Sequence, residues 1–338
     1  MRTWISVCGV LACAAVSFAF PGAEPLQLVT KYEMPAAVKG RFDHLAVDLS
    51  GNRLFVTAET AHKVLVFNLR SGAFLRAITN ISIPHAVFCR EDLKRIYITD
   101  GGAGVLRSYD GETYRPLSTA KLKVDADSIG YDPATRYLYI DNGGGDAHES
   151  YSMLSVVDTT SGKKIADIKI DGETLEAMAL ARSSPHLYVN NAAKNQVDVI
   201  NRKTRALIAT WPVTMGKRNV AMALDEPARR LFVACRSGVI VVFDTESGKE
   251  LQALPIAEGV DDLIFDGVRK RLYAACGIGG GTIAVYHEND PDHYQSLGQI
   301  PSGPRGKNVV LVPRLERLYI TIPPQGSAPG EVYVYSVQ

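Results

Sequence analysis

One short pattern recurs seven times along this chain. Each copy joins an apolar run, a small polar turn and a second apolar run rich in aromatic residues, as in LAVDLSGNRLFVTA at 45–58. We take the residue before each second run as the anchor of its copy. The anchors are Arg53, Arg95, Tyr137, His186, Arg230, Arg271 and Arg317. They lie 42, 42, 49, 44, 41 and 46 residues apart, a period typical of a β-propeller blade rather than of a helical solenoid. The sequence therefore predicts an all-β, seven-bladed β-propeller.

Each repeat has room for four strands. The two runs of the pattern alternate in side-chain character and predict the first and second strands. A polar linker precedes a third strand, as at 197–200, and a Ser-Gly turn such as Ser161-Gly162 leads into a fourth at 164–168. Glycine suits that turn because it tolerates positive φ. We therefore expect four antiparallel strands in each blade.

The last repeat predicts how the ring closes. Its third strand, at 332–335, is followed by no fourth strand, whereas residues 26–32 ahead of the first repeat have the character of one. Pairing these two segments would close the ring and cover both sheet edges. We expect one propeller domain over residues 24–338.

Residues 1–23 read as an export signal. Arg2 precedes an apolar stretch over 4–20 that is short for a membrane span and has no positively charged stop after it. A cleaved signal peptide is favoured over a retained anchor. The expected location is periplasmic or secreted, without stable membrane insertion.

The charge balance bears on the class of partner, and the cysteine count bears on disulfides. Lys and Arg number 37 and Asp and Glu 36, for a net charge of +1, so no nucleic-acid partner is expected. We expect a monomer that binds a small molecule or a protein. Three cysteines follow residue 23, namely Cys89, Cys235 and Cys276. So odd and sparse a set is not a disulfide framework. Cys235 and Cys276 both lie five residues after their anchors, and we expect them to be small core residues rather than a bridge or a metal pair.

The repeat resembles that of a known group of propellers. LYVNN at 187–191 and LFVTA at 54–58, each followed by a strand like Val-Asp-Val-Ile-Asn and a turn like Ser-Gly-Lys, are similar to the YVTN repeats of YncE-like propellers. The resemblance covers residues 40–338 and implies the propeller fold, but that group mostly lacks an assigned chemistry. The wider set includes gluconolactonase-like propellers and exported redox proteins, and a shared fold does not carry function across it.

Polar residues recur just before the first strand of each repeat, where the chain of a propeller approaches the ring axis. We call the residues ten before each anchor the rim positions. They are Asp43, His85, Asp127, Glu176, Val220, Asp261 and Lys307. With polar neighbours included, the candidate ligand-binding residues are Asp43, His44, His85, Asp127, Glu176, Asn219, Asp261, Asp262 and Asn308.

A divalent cation is the candidate cofactor, although none is certain from the sequence. Carboxylate and amide oxygens suit Ca²⁺ or Mg²⁺, and an added His44 or His85 would suit a transition metal. The candidate metal ligands are Asp43, Asp127, Glu176 and Asp261. The simpler interpretation, which the sequence favours, is that these residues cap strands and hold channel water.

Two local features are harder to interpret. Asp43 and His44 would support acid–base chemistry if they faced one substrate, but neighbours on a strand point to opposite faces. We therefore expect no cooperation between them. The insertion at 146–150 makes the third blade the longest, and we expect its loop to overhang the pocket. His148 and Glu149 in it are candidate ligands, although an ordinary solvated loop is favoured.

Three functions remain open. The leading hypothesis is an exported binding or scaffold module that uses an axial polar cup. The alternative is a metal-dependent hydrolase of the gluconolactonase or lactonase kind, with a cation at the channel mouth. A propeller that holds a redox cofactor noncovalently is the third, since the sequence has no Cys-x-x-Cys-His for covalent haem.

Overall fold

The computed structural model describes residues 24–338. These residues form seven four-stranded antiparallel sheets with very little helix, which confirms the predicted all-β, seven-bladed propeller. The signal segment expected at 1–23 lies outside the described residues. Within the described part of the chain the helical elements are four short 3-10 turns, at Glu91–Leu93, Gly144–Ala147, Ala192–Lys194 and Pro313–Leu315.

The strands follow one another in chain order within each blade. The first strand, β1, spans Leu26–Glu33. Blades 1 to 3 are β2 Leu45–Asp48, β3 Arg53–Ala58, β4 Lys63–Asn68 and β5 Phe74–Ile78; β6 Pro84–Arg90, β7 Arg95–Asp100, β8 Val105–Asp110 and β9 Pro116–Lys121; β10 Ile129–Asp132, β11 Tyr137–Gly143, β12 Tyr151–Asp158 and β13 Lys163–Asp171.

The remaining four blades repeat this order. Blades 4 and 5 are β14 Leu175–Leu180, β15 His186–Asn191, β16 Gln196–Asn201 and β17 Ala206–Pro212; β18 Asn219–Asp225, β19 Arg230–Cys235, β20 Val239–Asp244 and β21 Glu250–Pro255. Blades 6 and 7 are β22 Val260–Asp266, β23 Arg271–Cys276, β24 Thr282–Asp290 and β25 His293–Pro301; β26 Val309–Val312, β27 Arg317–Ile322, β28 Glu331–Val337 and β1.

Strand β1 completes blade 7, as predicted. It pairs antiparallel with β28, from Leu26 opposite Val337 to Glu33 opposite Glu331. The Tyr32 side chain is buried, and its hydroxyl donates a hydrogen bond of 3.0 Å to the carbonyl of Leu69 in blade 1. The closing strand therefore joins the last blade to the first.

The core lies between neighbouring sheets. One aromatic residue at the same place in every second strand is buried, and these residues are Phe55, Tyr97, Tyr139, Tyr188, Phe232, Tyr273 and Tyr319. The Tyr97 hydroxyl of blade 2 donates to the carbonyl of Thr159 in blade 3 at 2.6 Å. This column therefore packs each blade against its neighbour.

Other local predictions also hold. The Ser-Gly turns place Gly72, Gly162 and Gly248 at φ of 72°, 71° and 69°. Cys235 and Cys276 are buried, unpaired core residues. Within residues 24–338, no helix has the length and apolar character needed to cross a membrane.

A left-handed turn brings several rim positions to the axis. Asp125, Arg218 and Arg305 have φ of 59°, 59° and 60°, and each lies two residues before the rim position of its blade. This conformation is uncommon outside glycine. It bends the chain inward just before the innermost strand begins, which sets the direction of the rim side chains.

Candidate functional site

All seven rim positions line one cavity of about 330 Å³, which therefore lies on the ring axis. We call it the axial pocket. Its polar side chains are Arg41, Asp43, His44, Glu59, His85, Asp125, Asp127, Ser128, Asp146, Glu176, Arg236, Asp261 and Lys307.

Four side chains from blades 1 to 3 form one cluster in the axial pocket. His85 Nδ1 lies 2.7 Å from Asp43 Oδ2. His44 Nε2 lies 3.8 Å from Asp43 Oδ1 and 3.9 Å from Asp127 Oδ1. Two imidazoles and two carboxylates thus share one small volume.

A carboxylate from blade 6 supports this cluster from behind. Asp262 Oδ1 lies 3.4 Å from His44 Nδ1. The other oxygen of Asp262 accepts a hydrogen bond of 2.8 Å from the backbone N–H of Val309. Asp262 is therefore anchored in the sheet and faces the far side of the His44 ring.

A second charged group, from blades 5 to 7, adjoins this cluster through Asn308. Arg236 and Lys307 each donate to Asp261, at 2.6 Å in both cases. Asn308 Nδ2 donates to the same carboxylate at 3.1 Å and lies 3.5 Å from Asp43 Oδ1. Asp261 is thus fully engaged with its own neighbours.

The structure brings most of the candidate residues together but not all of them. Asp43, His44, His85, Asp127, Glu176 and Asp261 line the pocket, and Asp262 and Asn308 lie directly behind it. Asn219 is fully buried and donates to Asn190 Oδ1 and to the carbonyl of Gln196. It lies outside the pocket lining and joins two blades.

Burial and mutual repulsion raise the pKa values of two carboxylates in the pocket. Burial, with the charge of Asp43, raises the pKa of Asp127 to about 6. Burial, with the charge of Asp127, raises the pKa of Glu176 to about 8. At neutral pH, Glu176 is therefore mostly protonated and Asp127 mostly ionised.

The neighbouring carboxylates raise the pKa values of both imidazoles. Burial opposes the charged form of His85, but the hydrogen bond to Asp43 and the charge of Asp127 raise its pKa to about 9. Asp43 and Asp262 likewise outweigh burial and raise the pKa of His44 well above its usual range. In return, His44 and His85 outweigh the effect of burial on Asp43 and lower its pKa.

The expectation that Asp43 and His44 face opposite ways is wrong. Alternation applies within a strand, but β2 begins only at Leu45. The two residues precede it in the connecting loop, so both side chains turn toward the axis and their nearest polar atoms lie 3.8 Å apart.

The long loop of blade 3 reaches the pocket through Asp146, which lines it. Its neighbour Glu149 instead forms an ion pair with Lys123 and accepts a hydrogen bond of 2.8 Å from the Tyr151 hydroxyl. The expected overhang therefore exists, but it contributes a carboxylate two residues earlier than His148.

Sequence reasoning missed Glu59 and Arg236. Both lie six residues after their anchors, directly beyond the second strand, so the alignment of the repeats contained the signal. In blade 2 the equivalent residue is Gly101, where a Cβ atom would lie 2.6 Å from His85 Cδ2. In blades 1 and 5 this position thus carries a charged lining residue, and in blade 2 it leaves the space that the His85 imidazole occupies.

Comparisons with known proteins identify the fold alone. No protein-family model matches the sequence, and no curated protein is similar to it in sequence. A chain of a crystal structure of the mitotic checkpoint complex is similar, with a TM-score of 0.76, 14% identity, and coverage of 97% of this chain and 99% of that one. A chain of the hydrazine synthase of Kuenenia stuttgartiensis is also similar, with a TM-score of 0.69, 14% identity, and coverage of 84% of this chain and 94% of that one. Both likenesses agree with the seven-bladed ring.

Proposed function

We propose that this protein is an exported binding propeller, of the YVTN-repeat kind, whose axial pocket takes a small cationic ligand. One observation carries the proposal. Four carboxylates that line the pocket have no Lys or Arg partner within residues 24–338, and they are Asp125, Asp127, Asp146 and Glu176.

The balance of charge in the pocket supports a cation. Seven carboxylates line it against three Lys or Arg side chains and the two imidazoles of His44 and His85. Even with both imidazoles protonated and Glu176 neutral, as their raised pKa values favour, six negative charges face five positive ones. The three Lys or Arg side chains are already paired, because Arg41 binds Glu59 and both Arg236 and Lys307 bind Asp261. Asp125, Asp127 and Glu176 are partly buried, and like charges held there repel one another, whereas Asp146 is exposed. A bound cation relieves that repulsion, whereas a bound anion increases it.

The size and polarity of the pocket support a small ligand. A volume of about 330 Å³ is near the lower end of the range for pockets that bind small molecules. The lining is mostly charged, so a metal ion or a compact amine fits it better than an apolar compound does. Export, to the periplasm or outside the cell, is supported by Arg2 and the apolar stretch at 4–20.

The proposal is tested with purified, EDTA-treated protein and three kinds of probe. These are putrescine, divalent metal ions, and glutarate as an anion of similar size to putrescine. We expect at least one cation to bind by calorimetry and glutarate not to bind. Asp127→Asn should weaken cation binding about tenfold, because it removes an unpaired charge without breaking an ion pair to Lys or Arg. The control Asp290→Asn alters an exposed carboxylate paired with His293 and should leave affinity unchanged. Failure of every cation to bind would overturn the proposal, as would equal binding by the two variants.

A metal-dependent hydrolase is the second candidate. It is favoured by the His85–Asp43 pair, in which a carboxylate orients an imidazole inside a pocket that a substrate can enter. This candidate requires turnover of a lactone panel that EDTA abolishes and that added metal restores. Binding without turnover leaves the binding function as the conclusion.

A further inference from the structure

We infer that the axial pocket binds a divalent transition-metal ion through Asp43 Oδ1, His44 Nε2 and Asp127 Oδ1. This inference rests on the proposed function of the pocket as a cation site and names the class of cation. Among residues 24–338 these are the only three His, Cys, Asp or Glu residues whose ligand atoms all lie within 4.8 Å of one another.

The spacing of the three atoms fits a metal ion with little movement. His44 Nε2 lies 3.8 Å from Asp43 Oδ1 and 3.9 Å from Asp127 Oδ1, and the third separation is at most 4.8 Å. A point equidistant from three such atoms lies about 2.2 to 2.5 Å from each, close to the ligand distances of about 2.0 to 2.2 Å that Zn²⁺ prefers.

The Asp127 oxygen gives independent evidence. Asp127 Oδ1 is shielded from solvent and has no hydrogen-bond partner within the described chain. A buried carboxylate oxygen without a partner is unfavourable, because its lost hydration is not replaced. A metal ion at the centre of the three atoms would supply the missing interaction.

Asp262 lies beside His44 in the position that a carboxylate commonly takes next to a metal-binding histidine. Metal-bound imidazoles usually donate the N–H of the second ring nitrogen to a carboxylate or a carbonyl, which fixes the tautomer and the ring orientation. Asp262 Oδ1 lies 3.4 Å from His44 Nδ1, and its other oxygen is fixed by the backbone of Val309. This arrangement leaves Nε2 as the nitrogen that faces the two other ligand atoms.

His85 plays the same part for Asp43. It engages Oδ2 of that carboxylate at 2.7 Å, so Oδ1 remains available on the side of the metal. Each of the two blade 1 ligands therefore has an outer partner from another blade.

The donor set determines the class of metal. One imidazole nitrogen with two carboxylate oxygens suits Zn²⁺, Co²⁺, Mn²⁺ or Fe²⁺, whereas Ca²⁺ prefers six to eight oxygens. Glu176 and Asp261, which the sequence grouped with Asp43 and Asp127, stand apart from this set, and Asp261 is engaged by Arg236 and Lys307. Three protein ligands leave a coordination position open toward the pocket, as in sites where a further ligand binds.

The test uses Co²⁺ as a spectroscopic probe on the EDTA-treated full-length protein. We expect one equivalent to bind, with visible absorption bands that Zn²⁺ abolishes by competition. His44→Gln should lower Co²⁺ affinity more than 100-fold, and Asp262→Asn should lower it about 10- to 100-fold. The control His293→Gln changes an exposed histidine and should bind like the wild type. Asp127→Asn is a second variant that should fold, because Asp127 Oδ1 makes no hydrogen bond to lose.

The outcomes separate this inference from the proposed function. No stoichiometric Co²⁺ binding, or equal binding by folded His44→Gln and His293→Gln, overturns the metal assignment. If Mg²⁺ or putrescine still binds in a manner sensitive to Asp127→Asn, the cation-binding function survives that result. If no cation binds, the metal assignment and the proposed cation-binding function are both wrong.

Discussion

At the scale of single residues, the axial pocket depends on the space that Gly101 leaves. A Cβ atom at Gly101 would lie 2.6 Å from His85 Cδ2 and 2.7 Å from His85 Nε2. The imidazole therefore holds its place against Asp43 only because this residue has no side chain.

Gly101→Ala should displace the His85 ring and break its hydrogen bond to Asp43. We expect the free energy of unfolding to fall by about 1–3 kcal/mol, as overpacking usually produces. Urea titration measures this change. The control is Gly267→Ala, whose new Cβ atom would lie 3.8 Å from its nearest neighbour, Phe265 Cε1, and whose effect should stay within about 0.5 kcal/mol. Equal losses in the two variants would contradict the tight packing at His85.

Glu176 predicts how stability depends on pH. Its pKa rises from 4.5 to about 8 on folding. Between pH 4.5 and about pH 8 the folded protein therefore keeps a proton on Glu176 that the unfolded chain loses. Stability should therefore fall as pH rises through this window and level off above it. Glu176→Gln removes the effect and, in the presence of EDTA, should be more stable than the wild type at pH 9 by on the order of 1–2 kcal/mol once solvent screening is allowed for. Parallel stability curves for the two proteins from pH 5 to pH 9 would contradict the shift.

At the scale of strands, β1 buries two side chains, Leu26 and Tyr32, and Tyr32 is the one that hydrogen-bonds across to blade 1. Tyr32 is 5% exposed, packs 6.2 Å from the ring of Tyr319, and lies where a Cβ atom of Gly72 would otherwise be. The outward residues of the same strand contribute little burial, since Val29 is 46% exposed.

Tyr32→Ala should destabilise the whole ring. We expect a loss of about 3–4 kcal/mol from the cavity and the missing hydrogen bond to Leu69, measured by denaturant unfolding. Val29→Thr keeps the strand propensity on the exposed face and should change stability by about 0.5 kcal/mol or less. A small effect of Tyr32→Ala would mean that the closing strand does not tie blade 7 to blade 1.

The strands also show why some of the molecule was predictable. The anchors recur at a steady period, and each sets the register of the hairpin that contains it, so blade number and ring closure follow from the pattern. The approach of the rim positions follows as well, because the first strand of each blade is innermost. The direction of Asp43 and His44 did not follow, because it depends on β2 starting at Leu45 and not two residues earlier.

At the scale of the whole molecule, the ring decides which charges are neutralised. Asp261 and Lys307 are 46 residues apart in sequence, and only the curvature of the ring brings them within 2.6 Å. Repeat alignment places both on the rim but cannot give that distance. It therefore could not show that Asp261 is engaged while Asp127 is not.

Arg236→Met tests how the total charge of the pocket lining affects cation binding. Asp261 keeps Lys307 as a partner, so the change removes one positive charge from the lining without leaving that carboxylate unpaired. Cation affinity should rise about 2- to 10-fold at low salt, and the gain should shrink as salt is added. Calorimetric titration with Co²⁺ checks this. Arg229→Met breaks an exposed pair with Glu246 instead, and an equal gain in that variant would rule out a local effect.

The most direct measurement is anomalous scattering from crystals grown with Co²⁺. We predict one strong peak on the ring axis, within about 2.3 Å of Asp43 Oδ1, His44 Nε2 and Asp127 Oδ1. An axial pocket without a peak, or a peak bound by other side chains, would contradict the account.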